Sequence, residues 1–247
     1  MVRIIAFTCV LVGLSLHAIG QEPLRMGYVE FAPYYYTDKD GNARGHMIDM
    51  ANAMAEHAGY TLTFRSYPPR RLARSVVMGK ADVFLGMSTL ADFASGVLIS
   101  SMPIDTIELR AYSLKPMPAI NTKEDLNGKR ILLLHGYSYG DWFNHIKDPS
   151  NNIEYHMANT HTQALIMLER RPIDYLLDYK LPIAFATHEV QTPKLYHHDV
   201  FTLRPRMMVS KMHPHSEEVM KKFEEAFLAL YPNGVEHLKA QYLPKPE

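Results

Sequence analysis

Cysteine is all but missing: the 247 residues hold one, Cys9, inside an apolar run over residues 4–16. Arg3 precedes that run and the small residues Ala18-Ile19-Gly20 follow it. A positive start, an apolar middle and a small-residue end are the marks of an export signal, so residues 1–20 are read as a signal peptide cleaved near Gly20. The run is shorter than the roughly 20 residues that a bilayer crossing requires. Once it is removed, no thiol remains for a disulfide, a nucleophile or a thiolate metal site, and stability has to come from an apolar core. The expected location is the periplasm.

An excess of charge is missing too. Lys and Arg number 26, Asp and Glu 26, and loss of Arg3 leaves a net charge of about −1, which gives no basic field for nucleic acid. The chain has no nucleophile elbow, no phosphate-binding glycine-lysine loop and no His-Glu-x-x-His. Thirteen histidines, among them His156, His161, His197, His198, His213 and His215, match no compact ligand spacing, so neither a metal nor a cofactor is expected.

What is present is an alternation of short apolar strands and amphipathic helices. A strand over 24–29 is followed by a turn at Asp38-Lys39-Asp40-Gly41 and a helix over 46–57, with Met47, Ile48, Met50, Ala51, Met54 and Ala55 on one face and Gly59 as its left-handed stop. Strand, helix and strand follow over 61–67, 72–78 and 81–85. After Pro116 and Pro118 the theme repeats, with strands over 130–134, 153–157 and 173–177 and helices over 139–146 and from Thr160 to about 170. A strand over 206–211 and helices over 216–230 and 235–242 make no third lobe and are expected to return to the first. The spacing predicts two α/β lobes, 21–112 with 205–247 and 113–204, with hinge crossings near 112–117 and 200–206.

Ligands of open parallel sheets bind beyond the carboxyl ends of the strands. The residues there are Glu30-Phe31-Ala32-Pro33-Tyr34-Tyr35-Tyr36, Gly86-Met87-Ser88-Thr89, His135-Gly136-Tyr137-Ser138 and Asp178-Tyr179. Aromatic faces, hydroxyls, loop amides and a carboxylate suit a small polar ligand. Neighbours on an extended chain face opposite ways, so one of Tyr34, Tyr35 and Tyr36 is expected at the ligand. Asp178 pairs with a ligand cation or caps the helix after it; both remain open.

The run Phe31-Ala32-Pro33-Tyr34, Asp40-Gly41, Gly45-His46-Met47-Ile48-Asp49, Gly79-Lys80-Ala81-Asp82, Gly86-Met87-Ser88, Asp125-Leu126-Asn127-Gly128-Lys129, Ile173-Asp174-Tyr175 and Asp178 resembles the family-three extracellular solute-binding proteins of amino-acid importers. The resemblance implies a two-lobed periplasmic-binding-protein fold, each lobe a mainly parallel sheet flanked by helices. It further implies a monomer that has no catalytic activity and meets the membrane permease of an ABC importer or a membrane receptor. Phe31 would stack on the ligand, Asp178 would hold its amine, and the loop at Tyr137 and Ser138 would face its carboxylate, with Tyr34, Met87 and Ser88 around it. The family places an arginine five residues after the loop serine; counting from Ser88 lands on Phe93, and no Lys or Arg occurs from Gly86 to Ser101. Ordinary α-amino acids are therefore a poor match. Arg71 is the first substitute, with Arg70 and Arg74 beside it on the same helix. The competing expectation is a dehydratase of cyclohexadienyl acids on the same scaffold, with Glu30 or His135 as general acid.

Overall fold

A computed structural model describes residues 22–88, 93, 95–137 and 139–243, without the Arg70 side chain. The expected signal peptide and Ser138 lie outside the described residues. In chain order the first lobe contains β1 (Leu24–Tyr28), β2 (Tyr36–Thr37), β3 (Ala43–Arg44), α1 (His46–His57), β4 (Leu62–Ser66), α2 (Pro69–Val77), β5 (Val83–Gly86) and β6 (Val97–Ile99). The second contains β7 (Ile107–Ser113), β8 (Arg130–Leu134), α3 (Trp142–Ile146), β9 (Glu154–Ala158), α4 (His161–Arg170), β10 (Tyr175–Tyr179), α5 (Lys180–Ala186) and β11 (Tyr196–Leu203). The chain then returns with β12 (Arg206–Ser210), α6 (Ser216–Leu230) and α7 (Glu236–Ala240).

The two five-stranded sheets repeat one plan. The first runs β4-β1-β5-β12-β6 and the second β11-β7-β10-β8-β9. In each, three neighbouring strands are parallel and one strand is reversed, β12 in the first and β7 in the second. The reversed strand is in both cases the one the chain enters on crossing between lobes. Because β7 already belongs to the second sheet, the first crossing falls at Ile104 to Thr106, ahead of the expected 112–117. The alternation of β7 hid this: its buried positions Ile107, Leu109, Ala111 and Tyr112 continue the apolar pattern of the first lobe. The second crossing lies between Leu203 and Arg206.

A matching clamp anchors the sheets. The Asp82 carboxylate accepts the Arg25 backbone N–H at 2.8 Å and Arg25 Nε at 2.8 Å, and its other oxygen takes a second guanidinium nitrogen at 2.6 Å. Asp174 holds Arg130 by the same three contacts in the second lobe. Each aspartate thus ties the start of its own buried strand to the start of the parallel neighbour. Burial works against the charge of Asp82, but the Arg25 hydrogen bonds outweigh it and hold the carboxyl below its ordinary range. Hydrogen bonds from Arg130 lower Asp174 in the same way. A carboxyl depressed by folding stabilises the native state above its unfolded value of about 3.9, and that contribution is lost as pH falls through the folded value. Arg130→Met is therefore expected to lower stability at neutral pH and to flatten the fall in urea midpoint between about pH 5 and pH 2. An unchanged pH slope would remove the clamp from acid stability.

Candidate functional site

The Phe31 loop is pinned by α1. The first helical amides, of His46 and Met47, donate to the carbonyls of Pro33 at 3.1 Å and Tyr34 at 3.2 Å. Gly45 allows this approach: its φ is +120°, and a Cβ there would lie 2.3 Å from the Tyr34 carbonyl oxygen. Within the loop the Phe31 carbonyl accepts from Tyr34 N at 2.8 Å and the Phe31 N–H donates to the Tyr35 carbonyl at 2.8 Å. Phe31 is thereby thrown across the gap between lobes. Its ring lies 5.2 Å from Tyr137 and 5.2 Å, edge-on, from Tyr179, both from the second lobe.

Below these rings is a cavity of about 190 Å³. The first lobe contributes Glu30, Phe31, Tyr35, Leu72, Phe84 and Met87, and the second lobe Gly136, Tyr137 and Tyr179. Its remaining wall includes Ile107 and Leu203, which pair in register on the two crossing strands, so the hinge itself borders the cavity. Burial, and after it the charge of Asp178, pushes the phenols of Tyr137 and Tyr179 well up, leaving them uncharged hydrogen-bonding groups.

Of the residues expected at the ligand, Phe31, Met87 and Tyr137 line this cavity. Tyr34 does not: it is buried behind Phe31, stacked at 4.7 Å, with His46 on its other side at 4.8 Å. Tyr35 takes the place at the wall, its hydroxyl donating to the Leu85 carbonyl. The helix amides that fix the Tyr34 carbonyl decide which of the three tyrosines faces in. Ser88 is half-buried next to Met87 without being part of the wall, and Ser138 lies outside the described residues.

Asp178 is wholly buried, and its carboxylate is already engaged. One oxygen accepts the Tyr179 N–H at 2.7 Å, and the other faces His161 Nδ1 at 2.8 Å. Asp178 points to the same side of β10 as Leu176, toward the α4 and α5 layer, whereas Tyr175, Leu177 and Tyr179 pack in the other cluster. The His161 ring stacks over Tyr137 with centroids 6.1 Å apart. This partly buried pair is not marked by spacing, because its members lie 17 positions apart.

The arginine substitute is placed elsewhere. Arg71 and Arg74 are exposed and line a separate notch with Ser75, Met78 and Lys80, not the Phe31 cavity. Residues 69, 72, 73 and 76 are the inward positions of α2, which turns 71 and 74 away at 3.6 residues per turn. Phe93 lies in the packed interior of the first lobe, 1% exposed and stacked on Phe84 at 6.0 Å. Of the two candidate acids, His135 is exposed and outside the wall, and Glu30 lines it. The Glu30 carboxylate accepts from Thr37 N at 2.9 Å, Thr37 Oγ1 at 2.7 Å and Ser66 Oγ at 2.7 Å. Ile107 and Leu203 carry no strand-end signal and reach the wall through the crossing register, whereas Tyr35 and Tyr179, both among the strand-end residues, reach it through strand alternation. Among the described residues no three His, Cys, Asp or Glu side chains converge to hold a metal ion.

Solved structures with this architecture include a histidine kinase sensor domain similar to periplasmic binding proteins, with a TM-score of 0.70 and 19% identity over 92% of this chain and 99% of that one. An ancestral arginine-binding protein bound to arginine matches with a TM-score of 0.69 and 18% identity over 91% of this chain and 100% of that one. The ancestral amino-acid-binding protein AncCDT-1, a precursor of cyclohexadienyl dehydratase, follows with a TM-score of 0.66 and 16% identity over 90% and 95%. At such identities the likeness is one of fold. A probable histidine-binding protein of Neisseria gonorrhoeae is 33% identical over 63 residues, 26% of this chain and 24% of that protein. The model of the bacterial extracellular solute-binding proteins, family 3, matches residues 24–245, which takes in both lobes, both crossings and every wall residue of the Phe31 cavity, and the chain belongs to that family.

Proposed function

We propose that this chain is exported to the periplasm, captures a small amine-bearing solute between its two lobes, and as a monomer delivers it to the membrane permease of an ABC-type importer. The observation that carries this reading is the shared cavity: strand-end loops of both lobes and both crossing strands border one space. A solute that touches Phe31 and Tyr137 together stabilises the closed arrangement by its differential contacts, and closure is the signal a permease reads. Amino-acid transporters supply several of the solved relatives, including the substrate-binding protein of an amino acid ABC transporter. The carboxylate on the cavity wall, Glu30, favours an amine.

Binding to the native state alone must raise the melting temperature by mass action. At a solute concentration 100 times Kd the gain is about 2.7 kcal/mol, which for a protein of this size is roughly 5–10 °C. A screen of amines, amino acids, sugars and organic acids by thermal shift is expected to give at least one such hit. No shift with any solute, in a protein that unfolds cooperatively, would overturn the reading. Recovery of the bound solute unchanged after long incubation separates capture from dehydratase chemistry.

A further inference from the structure

Three aromatic rings meet at the cavity wall, two of their three pairs edge to face. Phe31, Tyr137 and Tyr179 have centroids 5.2 to 5.9 Å apart, and Glu30 is the charged group among the described residues of the wall. The donors that fix Glu30, from Thr37 and Ser66, are all neutral, so they orient its carboxylate without cancelling its charge. An aromatic wall beside an oriented carboxylate is chemistry that holds an organic cation, through ring contact and ion pairing together.

The opposite requirement, a group for a solute carboxylate, is met poorly by the same residues. No Lys or Arg occurs from Gly86 to Ser101, Phe93 is packed in the interior, and Arg71 and Arg74 border a different notch. His161 is spoken for by Asp178. A solute carboxylate inside about 190 Å³ would lie close to Glu30 and be repelled by it.

We propose that the cleft selects an organic cation without an acid group, a decarboxylated amine rather than an α-amino acid, with its body against the aromatic wall of Phe31, Tyr137 and Tyr179 and its charge directed at Glu30. This rests on the amine-bearing reading above and narrows it. Titration calorimetry at neutral pH compares matched pairs: agmatine with L-arginine, cadaverine with L-lysine, histamine with L-histidine. In a pair that binds, the decarboxylated member is expected to bind at least tenfold more tightly. Glu30→Gln, at an exposed position, is expected to stay folded by circular dichroism and to weaken that amine at least tenfold. The proposal is overturned if the amino acid binds as tightly as its amine, if Glu30→Gln changes Kd less than twofold, or if Arg70→Gln abolishes binding of an amino acid. If none of the six binds while an uncharged solute raises the melting temperature, this proposal falls and capture between lobes stands. If no solute does, both fall.

Discussion

Replacement of Asp105 by alanine is expected to lower the unfolding free energy by about 3–5 kcal/mol, the cost of stripping one partner from a buried ion pair. Asp105 lies at the first crossing and is inaccessible, as is His46, whose Nε2 faces one of its oxygens at 2.8 Å. Lys239 of α7 reaches the other oxygen at 2.5 Å and donates to the Thr106 carbonyl at 2.8 Å. Burial opposes the charge of Lys239, but Asp105 and then Glu236 keep its pKa above the ordinary value. Without Asp105 the ammonium is left in a 6% exposed position with only Glu236, itself largely exposed, as a charged partner. The network joins the start of α1, the crossing and the closing helix, three segments far apart in sequence. Urea denaturation of Asp105→Ala checks the loss, and the double variant with Lys239→Met is expected to recover part of it, because the orphaned charge goes too. A loss below about 1 kcal/mol would mean that water or a neighbour compensates the ammonium, and the network would not stabilise the crossing.

Phe31→Ala is expected to weaken solute binding about 30- to 150-fold, equivalent to the roughly 2–3 kcal/mol that a centrally placed aromatic anchor contributes. Phe31 is the first-lobe ring that touches both Tyr137 and Tyr179, so its removal opens the wall where the two lobes meet. The loop backbone should keep its course, since its anchors are main-chain contacts to His46 and Met47 and not the ring. Phe31→Tyr, which keeps the face, is expected to stay within a few-fold of the parent. Calorimetric titration with the tightest amine found for the parent protein checks both variants. Equal affinity for the alanine variant would place the solute away from this cavity.

The loop residues Phe31, Met87 and Tyr137 were legible because a parallel sheet exposes the ends of its strands at one edge, and those ends are marked by glycine and by the stop of an apolar run. Tyr34 was misplaced because alternation narrows three tyrosines to a parity without choosing it. The choice belongs to the amides of α1, which fix the Tyr34 carbonyl and leave Tyr35 to face the wall. The Arg71 assignment failed for a related reason: a helix starting at Pro69 turns residue 71 outward once residues 72, 73 and 76 are committed to the interior. The first crossing was displaced because β7 continues an apolar rhythm that carries no sign of which sheet it joins.

Sequence alone settled the near balance of charge, the want of a thiol beyond Cys9, the two rounds of strand and helix and the positions of the strand-end loops. These are local properties, set by composition, by periods of 2 and 3.6 residues and by turn residues. Tertiary structure alone decided that Asp178 is engaged by His161, that Glu30 is held by Thr37 and Ser66, and that Asp105 joins His46 to Lys239. Each of these depends on side chains from separate segments meeting, for Asp178 and Asp105 where water is scarce. A buried charge takes whichever partner the packing brings within reach, and no local rule names that partner in advance.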